Sequence, residues 1–330
     1  MLQKTRISLL LLSLITIFGM TMVQGVSAQQ SDAASGLRIS PVRTDLVIPA
    51  GSVRTVTVTV NNITGAETEY QAIINDFIAG KDEYGQPALI LDADKFAPSH
   101  SLKRYISPIG NITVPSGKSK TITVTITIPK DAAAGGYFGA VRFMPVSGKQ
   151  GRNITLAASV GSLMLVKVPG DIVENMKLES FDVRTSERAE KGSSFFTTNK
   201  NLVALARFSN SGSAHEQPFG KVVLKKGGKI VQTIEINSNE PKGNVLPDSI
   251  RRFSVKLDKI GLWGSYTVEG NFGYGSNGQL LSGKTSFFVF PLLFIVLGLG
   301  LLAIILALIF GLPRVIKRYN ANVVRKASRR

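Results

Sequence analysis

The sequence predicts an all-β protein: two tandem Ig-like antiparallel β-sandwiches followed by one C-terminal transmembrane helix. Three observations predict it. Short runs of alternating polar and apolar residues recur between Gly, Pro and Asn turns, with no amphipathic helical period, the pattern of antiparallel sandwiches. The same turn-and-strand punctuation occurs twice, in the same order. One uncharged segment, "LLFIVLGLGLLAIILALIFGL" at 292–312, is long enough to cross a bilayer.

Residues 1–28 carry Lys4 and Arg6, an apolar run, and the small-x-small triplet Val26-Ser27-Ala28. This is a secretory signal peptide with cleavage between Ala28 and Gln29, and residues 29–36 form a linker. The alternative, an N-terminal anchor, needs a longer apolar run. In the first sandwich, 37–169, "PAGSVRTVTVTV" at 49–60 is echoed by "PSGKSKTITVTI" at 115–126. Each is a Pro-x-Gly turn followed by strict alternation, the mark of a half-buried strand. Further strands are expected at 36–47, 70–77, 136–143 and 156–168. The irregular stretch 79–106 holds a long connection or a short extra strand.

The second sandwich, 171–290, reads as strands broken by turns, with "KKGG" at 225–228 as a hairpin turn. Its punctuation matches the first. Gly-x-Tyr opens the penultimate strand at Tyr137 and at Tyr266, an apolar-x-apolar-Pro stop closes the last strand, and an Asn turn follows an early one. A Tyr in that place fits a tyrosine corner, its hydroxyl tied back to backbone; an ordinary packed Tyr is the alternative.

Residues 292–312 span about 31 Å as a helix, the thickness of a bilayer's hydrocarbon core. Gly300, Ala303, Ala307 and Gly311 fall on one face, suited to a helix–helix partner in the membrane. The tail, 313–330, carries Arg314, Lys317, Arg318 and four more basic residues and no acid, which places it in the cytoplasm and the bulk of the chain outside. Roughly half of the net charge of +17 lies in leader and tail, so nucleic acid is a poor reading, and a positive exterior suits anionic wall polymers or lipid head groups.

The chain has no cysteine, which excludes thiol catalysis, thiolate metal sites and c-type haem and leaves stability to burial. No cofactor and no metal site is expected. His100 and His215 read as surface loop histidines without a second ligand at metal spacing. Asp82 with Glu83, and Asp92 with Asp94, read as turn acids. Asn62, Asn111 and Asn153 sit in Asn-Ile-Thr triplets that Thr-rich strands also generate by composition. "GGYFG" at 135–139 leads into a strand that stops at Pro145, not into a helix, so it is no phosphate cradle. No catalytic constellation is present, and the protein is read as a non-enzyme.

"ISPVRTDLVIPAGSVRTVTVTVNNITG", "NDF", "SLKRYISP", the second Pro-x-Gly strand and "IPKDAAAGGYFGAVRF" together resemble the first domain of the WxL-interacting proteins, cell-surface proteins of Gram-positive-type bacteria. The resemblance covers about 36–169. Gly135, Gly136, Tyr137, Gly139 and Ala140 match that family's glycine–aromatic strand, with Phe138 in place of its second aromatic; Tyr105 stands where the pattern has Trp. The resemblance implies an Ig-like domain that binds peptidoglycan, a second for a partner protein, and a C-terminal membrane anchor. The expected function is therefore non-enzymatic binding or scaffolding at the cell surface, attached to peptidoglycan or another envelope component and to a partner protein. Lys103, Arg104 and Tyr105 form the first cluster to test for binding, a solvated turn being the alternative. The competing reading is a structural or accessory subunit of a membrane complex, acting through helix and tail with the sandwiches as spacers.

Overall fold

The two echoed Thr/Val segments pair with each other. In the computed structural model, which describes residues 36–146 and 159–327, the first sandwich contains β1 (Leu37–Ser40), β2 (Arg43–Val47), β3 (Val53–Asn62), β4 (Thr68–Ala79) and β5 (Pro87–Leu89). It continues with β6 (Ile112–Val114), β7 (Ser119–Thr127), β8 (Gly135–Pro145) and β9 (Val160–Val168). The second contains β10 (Met176–Arg184), β11 (Phe195–Phe196), β12 (Val203–Asn210), β13 (Phe219–Lys226) and β14 (Lys229–Ile236). β15 (Ser249–Lys256), β16 (Gly264–Tyr274) and β17 (Gln279–Val289) complete it. The signal-cleavage pair Ala28 and Gln29, the Asn153 triplet and the start of the strand expected at 156 lie outside the described residues.

The echoed strands β3 and β7 run antiparallel with Thr57 opposite Thr123 and Val58 opposite Ile122. Alternation puts Val58, Val60, Ile122, Val124 and Ile126 in the core and leaves Thr57, Thr121 and Thr123 in solvent.

Sheet order shows that the two sandwiches are built alike. β1-β3-β7 faces β2-β9-β8-β4-β5, with β6 also pairing β4; β10-β12-β15 faces β11-β17-β16-β13-β14. Exchanging each strand for its counterpart converts one list into the other. In each unit the opening segment divides between sheets, and its second half lies parallel to the last strand, β2 on β9 and β11 on β17. The single strand expected at 36–47 is thus two. Pro41, which has no N–H to give a ladder, sits where the chain crosses from one sheet to the other.

The matched punctuation has matched chemistry. Asn62, fully buried, donates from Nδ2 to the carbonyls of Ala66 (2.8 Å) and Val114 (2.9 Å), while its Oδ1 accepts the Thr64 amide (2.9 Å). Asn210 repeats this on Ala214 (2.8 Å), Val245 (2.9 Å) and the Gly212 amide (2.8 Å). Tyr137 donates to the Ala133 carbonyl at 2.9 Å, and the Tyr266 hydroxyl accepts the Gly261 amide at 2.8 Å. Each hydroxyl is thus tied to backbone a few residues upstream. The "KKGG" turn joins β13 to β14 with Gly227 and Gly228 at φ 55° and 79°.

At the other end β17 runs into helix α1 (Leu292–Ala327) almost without a break. Phe290 donates to the Phe196 carbonyl (2.9 Å) and Leu292 to that of Thr197 (3.2 Å), so the helix start is pinned to β11. Residues 292–317 are long and apolar enough to cross a membrane. The helix does not stop at Pro313; it carries into the tail, with the Arg314 guanidinium donating to the Phe310 carbonyl at 2.5 Å.

Candidate functional site: the seam between the sandwiches

Residues 135–139 hold more glycine than a turn requires, and the second sandwich shows why. Gly135 has φ 145°, and a Cβ there would lie 2.7 Å from the Ser213 carbonyl oxygen. The Gly136 amide donates to that same oxygen at 2.8 Å, and a Cβ on Gly136 would meet the Ala214 Cα and the His215 nitrogen at 3.3 Å. The glycines let the Asn210 turn of the second sandwich press against the opening of β8. The connection between sandwiches is fastened to the same turn. The Ser213 amide donates to Val173 O (2.9 Å), and the Val173 amide donates to Ser213 Oγ (3.0 Å).

β8 is therefore buried on both faces. Val141 and Phe143 enter the first core, while Phe138 and Ala140 turn outward into a small cluster with Phe77 and Leu165, joined by Leu246 of the second sandwich. Ring centroids of Phe77, His100 and His215 lie 5.8, 5.8 and 5.6 Å from that of Phe138, within the range of favourable aromatic packing. Phe138 anchors the seam.

Neither histidine is the plain surface residue expected. His100 is half-buried, and its Nδ1 lies 2.6 Å from the Gly136 carbonyl. A carbonyl only accepts, so Nδ1 carries the proton. His215 is 7% exposed; the loop that looked polar in sequence is pressed against β8. Burial and the nearby Lys167 charge lower its pKa from 6.5 to about 4, so it is neutral at physiological pH.

The β4–β5 hairpin makes a second attachment. Glu83, at φ 61°, reaches across and accepts from Arg207 Nε (2.7 Å), Arg207 Nη2 and Arg252 Nη2 (3.1 Å), while its carbonyl accepts the Arg252 amide (2.9 Å). The Arg207 hydrogen bonds, and then the charges of both arginines, hold its carboxyl below the usual range despite burial. The turn acids of "GKDEYGQ" thus divide: Asp82 holds its own turn through the Tyr84 amide, and Glu83 joins the sandwiches. Arg43 adds a bond to the Lys242 carbonyl at 2.7 Å.

Beside the seam is a cleft, open to solvent and lined by Asp45, Leu46, Lys167, Glu174, His215, Glu216, Phe219 and Lys242, among others. Glu216 is 4% exposed, with Oε1 3.7 Å from Lys167 Nζ. That oxygen and His215 Nδ1 have no hydrogen-bond partner among the described residues. Burial raises the Glu216 pKa, and Lys167 pulls it back only in part. β2, the terminal strand of its sheet, forms one wall and leaves one backbone edge unpaired by any strand among the described residues. Among the described residues no group of three His, Asp or Glu is placed to hold a metal ion.

The Lys103–Tyr105 cluster belongs to the structure of the irregular segment. It forms a 3-10 turn whose first amide donates to buried Asp76 at 2.8 Å; the other Asp76 oxygen takes the Ala97 amide at 2.9 Å. Lys103 Nζ donates to the carbonyls of Ala93 and Lys95. Lys103 and Arg104 both lie over the Phe96 ring, and Tyr105 packs edge-on to Tyr137. The organising residues are those of "NDF". Asn75 holds the Ile90 carbonyl (2.7 Å), Asp76 the turn, and Phe77 the seam. Gly300, Ala303, Ala307 and Gly311 lie on the helix with no other element against them among the described residues, and Lys317 is exposed. Arg318 is helical, and its side chain lies outside the described residues.

No protein-family model matches the chain, and no curated protein matches it. Among solved structures it is similar to a chain of a chaperone–tip adhesin complex of CFA/I fimbriae biogenesis, with TM-score 0.37, 13% identity, and 76% of this chain and 99% of that one covered. The class 5 fimbrial chaperone CfaA gives TM-score 0.37 and 14% identity, over 78% of this chain and 100% of that one. The Escherichia coli chaperone DraB gives 0.32 and 15%, over 76% and 96%. Likeness this distant says nothing of what this chain binds.

Proposed function

We propose that the protein is a membrane-anchored binding or scaffolding protein without catalysis, whose two sandwiches form one arm and whose cleft beside the seam takes an extended segment of a partner protein. The observation that carries this reading is the cleft itself. It offers an unpaired strand edge at β2, apolar Leu46 and Phe219, and buried Glu216 and His215 with unused polar atoms. Backbone pairing at an edge with flanking side-chain contacts is a general mode of peptide recognition. Helix α1 supports the anchor. Its apolar part is uncovered by any other element among the described residues, and basic residues from Arg314 onward follow that part, as the cytoplasmic side of a span requires.

The wall-polymer ligand implied by the family resemblance finds little support in the cluster chosen from sequence, since Lys103 and Arg104 are engaged within their own loop. The test is site-specific photo-crosslinking in the full chain in its membrane, from Val47 and Phe219 at the cleft and from Thr57 on the opposite sheet. The same polypeptide captured from Val47 and Phe219, and not from Thr57, supports the reading. Wall polymer captured there would restore the peptidoglycan ligand. No adduct from either cleft position, with a complex still formed by helix and tail alone, would establish the spacer model.

A further inference from the structure

The end of the second sandwich from which helix α1 leaves carries an exposed apolar tip that no core uses. Leu262 is 66% exposed and Trp263 60%, side by side in the loop before β16. Gly264, the next residue, pairs with Val289, the last residue of β17, and Leu292 begins the helix. Trp263 therefore lies roughly 10 Å or less from the start of the helix, by strand spacing and residue rise. The position is fixed. Lys226 Nζ donates to the Trp263 carbonyl at 3.2 Å, Asn199 Nδ2 to that of Ile260 at 3.2 Å, and the Leu292 amide to Thr197. Phe195 and Phe288, 48% and 37% exposed, stack at 6.3 Å on the same end, and Phe288, Phe290 and Phe294 continue stepwise onto the helix.

The charge around this tip has one dominant sign. Lys200, Lys226, Lys229 and Lys259 are exposed on the loops and hairpin that surround it, with Asp258 the acid among them. Trp and Leu at the level where a span leaves the bilayer, ringed by lysine, form the pattern of an interfacial anchor: an amphipathic ring at headgroup depth with cations over the phosphates.

We propose that the base of the second sandwich is itself a membrane-docking surface, with Leu262 and Trp263 inserted among the lipid headgroups of the bilayer that helix α1 crosses and the surrounding lysines facing lipid phosphates. This rests on the reading of α1 as a span. It gives the arm a fixed stance, because sandwich and helix are joined at Phe290 and Leu292 without a linker, and the loop supplies a second point of contact.

Trp263 is the chain's one tryptophan, so native fluorescence reports this loop directly. The experiment uses the full chain, one copy per lipid nanodisc containing anionic lipid, with acrylamide as the water-side quencher and shallow brominated lipid as the membrane-side quencher. A parallel carbonate wash of membranes tests whether the chain is integral. The expected result is an integral chain whose Trp263 is several-fold less accessible to acrylamide than free tryptophan and is quenched by bromolipid. An integral chain with Trp263 fully open to acrylamide and blind to bromolipid overturns the docking and leaves the span standing. A chain released by carbonate removes the span, and the docking with it. Protection found only in discs that hold two chains assigns the patch to a second copy and also overturns the proposal.

Discussion

At Gly135 the backbone of the first sandwich lies directly against that of the second. The residue's φ of 145° and the Ser213 oxygen 2.7 Å from any added Cβ make Gly135→Ala a strained and overpacked substitution, expected to cost about 1–3 kcal/mol. Gly65→Ala, where nothing lies within 4 Å of the new Cβ, is the control and leaves stability nearly unchanged. Denaturant unfolding of the solubilised chain measures both. His215 makes the seam sensitive to acid. A base whose pKa falls on folding binds its proton more readily in the unfolded chain, so protonation favours unfolding. The contribution of His215 is complete above pH 6.5 and is lost as pH falls toward 4, an effect on the order of 3 kcal/mol. Glu216, with its pKa raised by the same burial, works in the opposite direction at low pH. Subtracting the pH profile of a His215→Gln variant from that of the natural chain isolates the histidine. A difference that does not change between pH 6.5 and 4 contradicts the assignment.

Among the elements, the β4–β5 hairpin is the part whose role changed most between sequence and structure. In sequence it is a turn with two acids, and nothing local says that Glu83 pairs with Arg207, 124 positions away. Sandwich strands are legible because alternation and turn glycines are local properties. The echo of 49–60 in 115–126 marks two strands of one sandwich, which the structure shows to be neighbours, and the Gly-x-Tyr and Asn turns mark the duplication that sheet order and hydrogen bonds bear out. The seam was illegible because it joins surfaces distant in sequence. The loop "GSAHEQP" has the composition of a solvent loop and is buried only because another sandwich lies against it. The glycine excess at 135–139 was its one local sign. Glu83→Ala removes the carboxylate bonds to Arg207 and Arg252 that hold the hairpin down and leaves both cores intact. The Arg252 amide, which donates to the Glu83 carbonyl, is expected to exchange about tenfold or more faster, equivalent to about 1.4 kcal/mol or more of local opening, with strand amides of β3 and β7 unaffected. Unchanged exchange at Arg252 would show that the hairpin is held by other contacts.

At the scale of the whole molecule, both sandwiches belong to one compact unit from Leu37 onward, joined by the glycine contact, the Phe138 cluster and the Glu83 pairs. The arm continues into helix α1 through hydrogen-bonded residues at Phe290 and Leu292. A flexible pair of beads would dissolve the cleft, whose walls come from both sandwiches, so rigidity is the condition on which the proposed binding rests. Because the chain lacks cysteine, spin labels can be placed without background. The most direct test is the distance distribution between labels at Thr57→Cys and Lys221→Cys, both exposed, in the full membrane-embedded chain. A single narrow distribution that broadens when Glu83→Ala and Phe138→Ala are combined is the predicted result. A broad distribution in the otherwise natural chain, or one that the two seam substitutions leave unchanged, would contradict it.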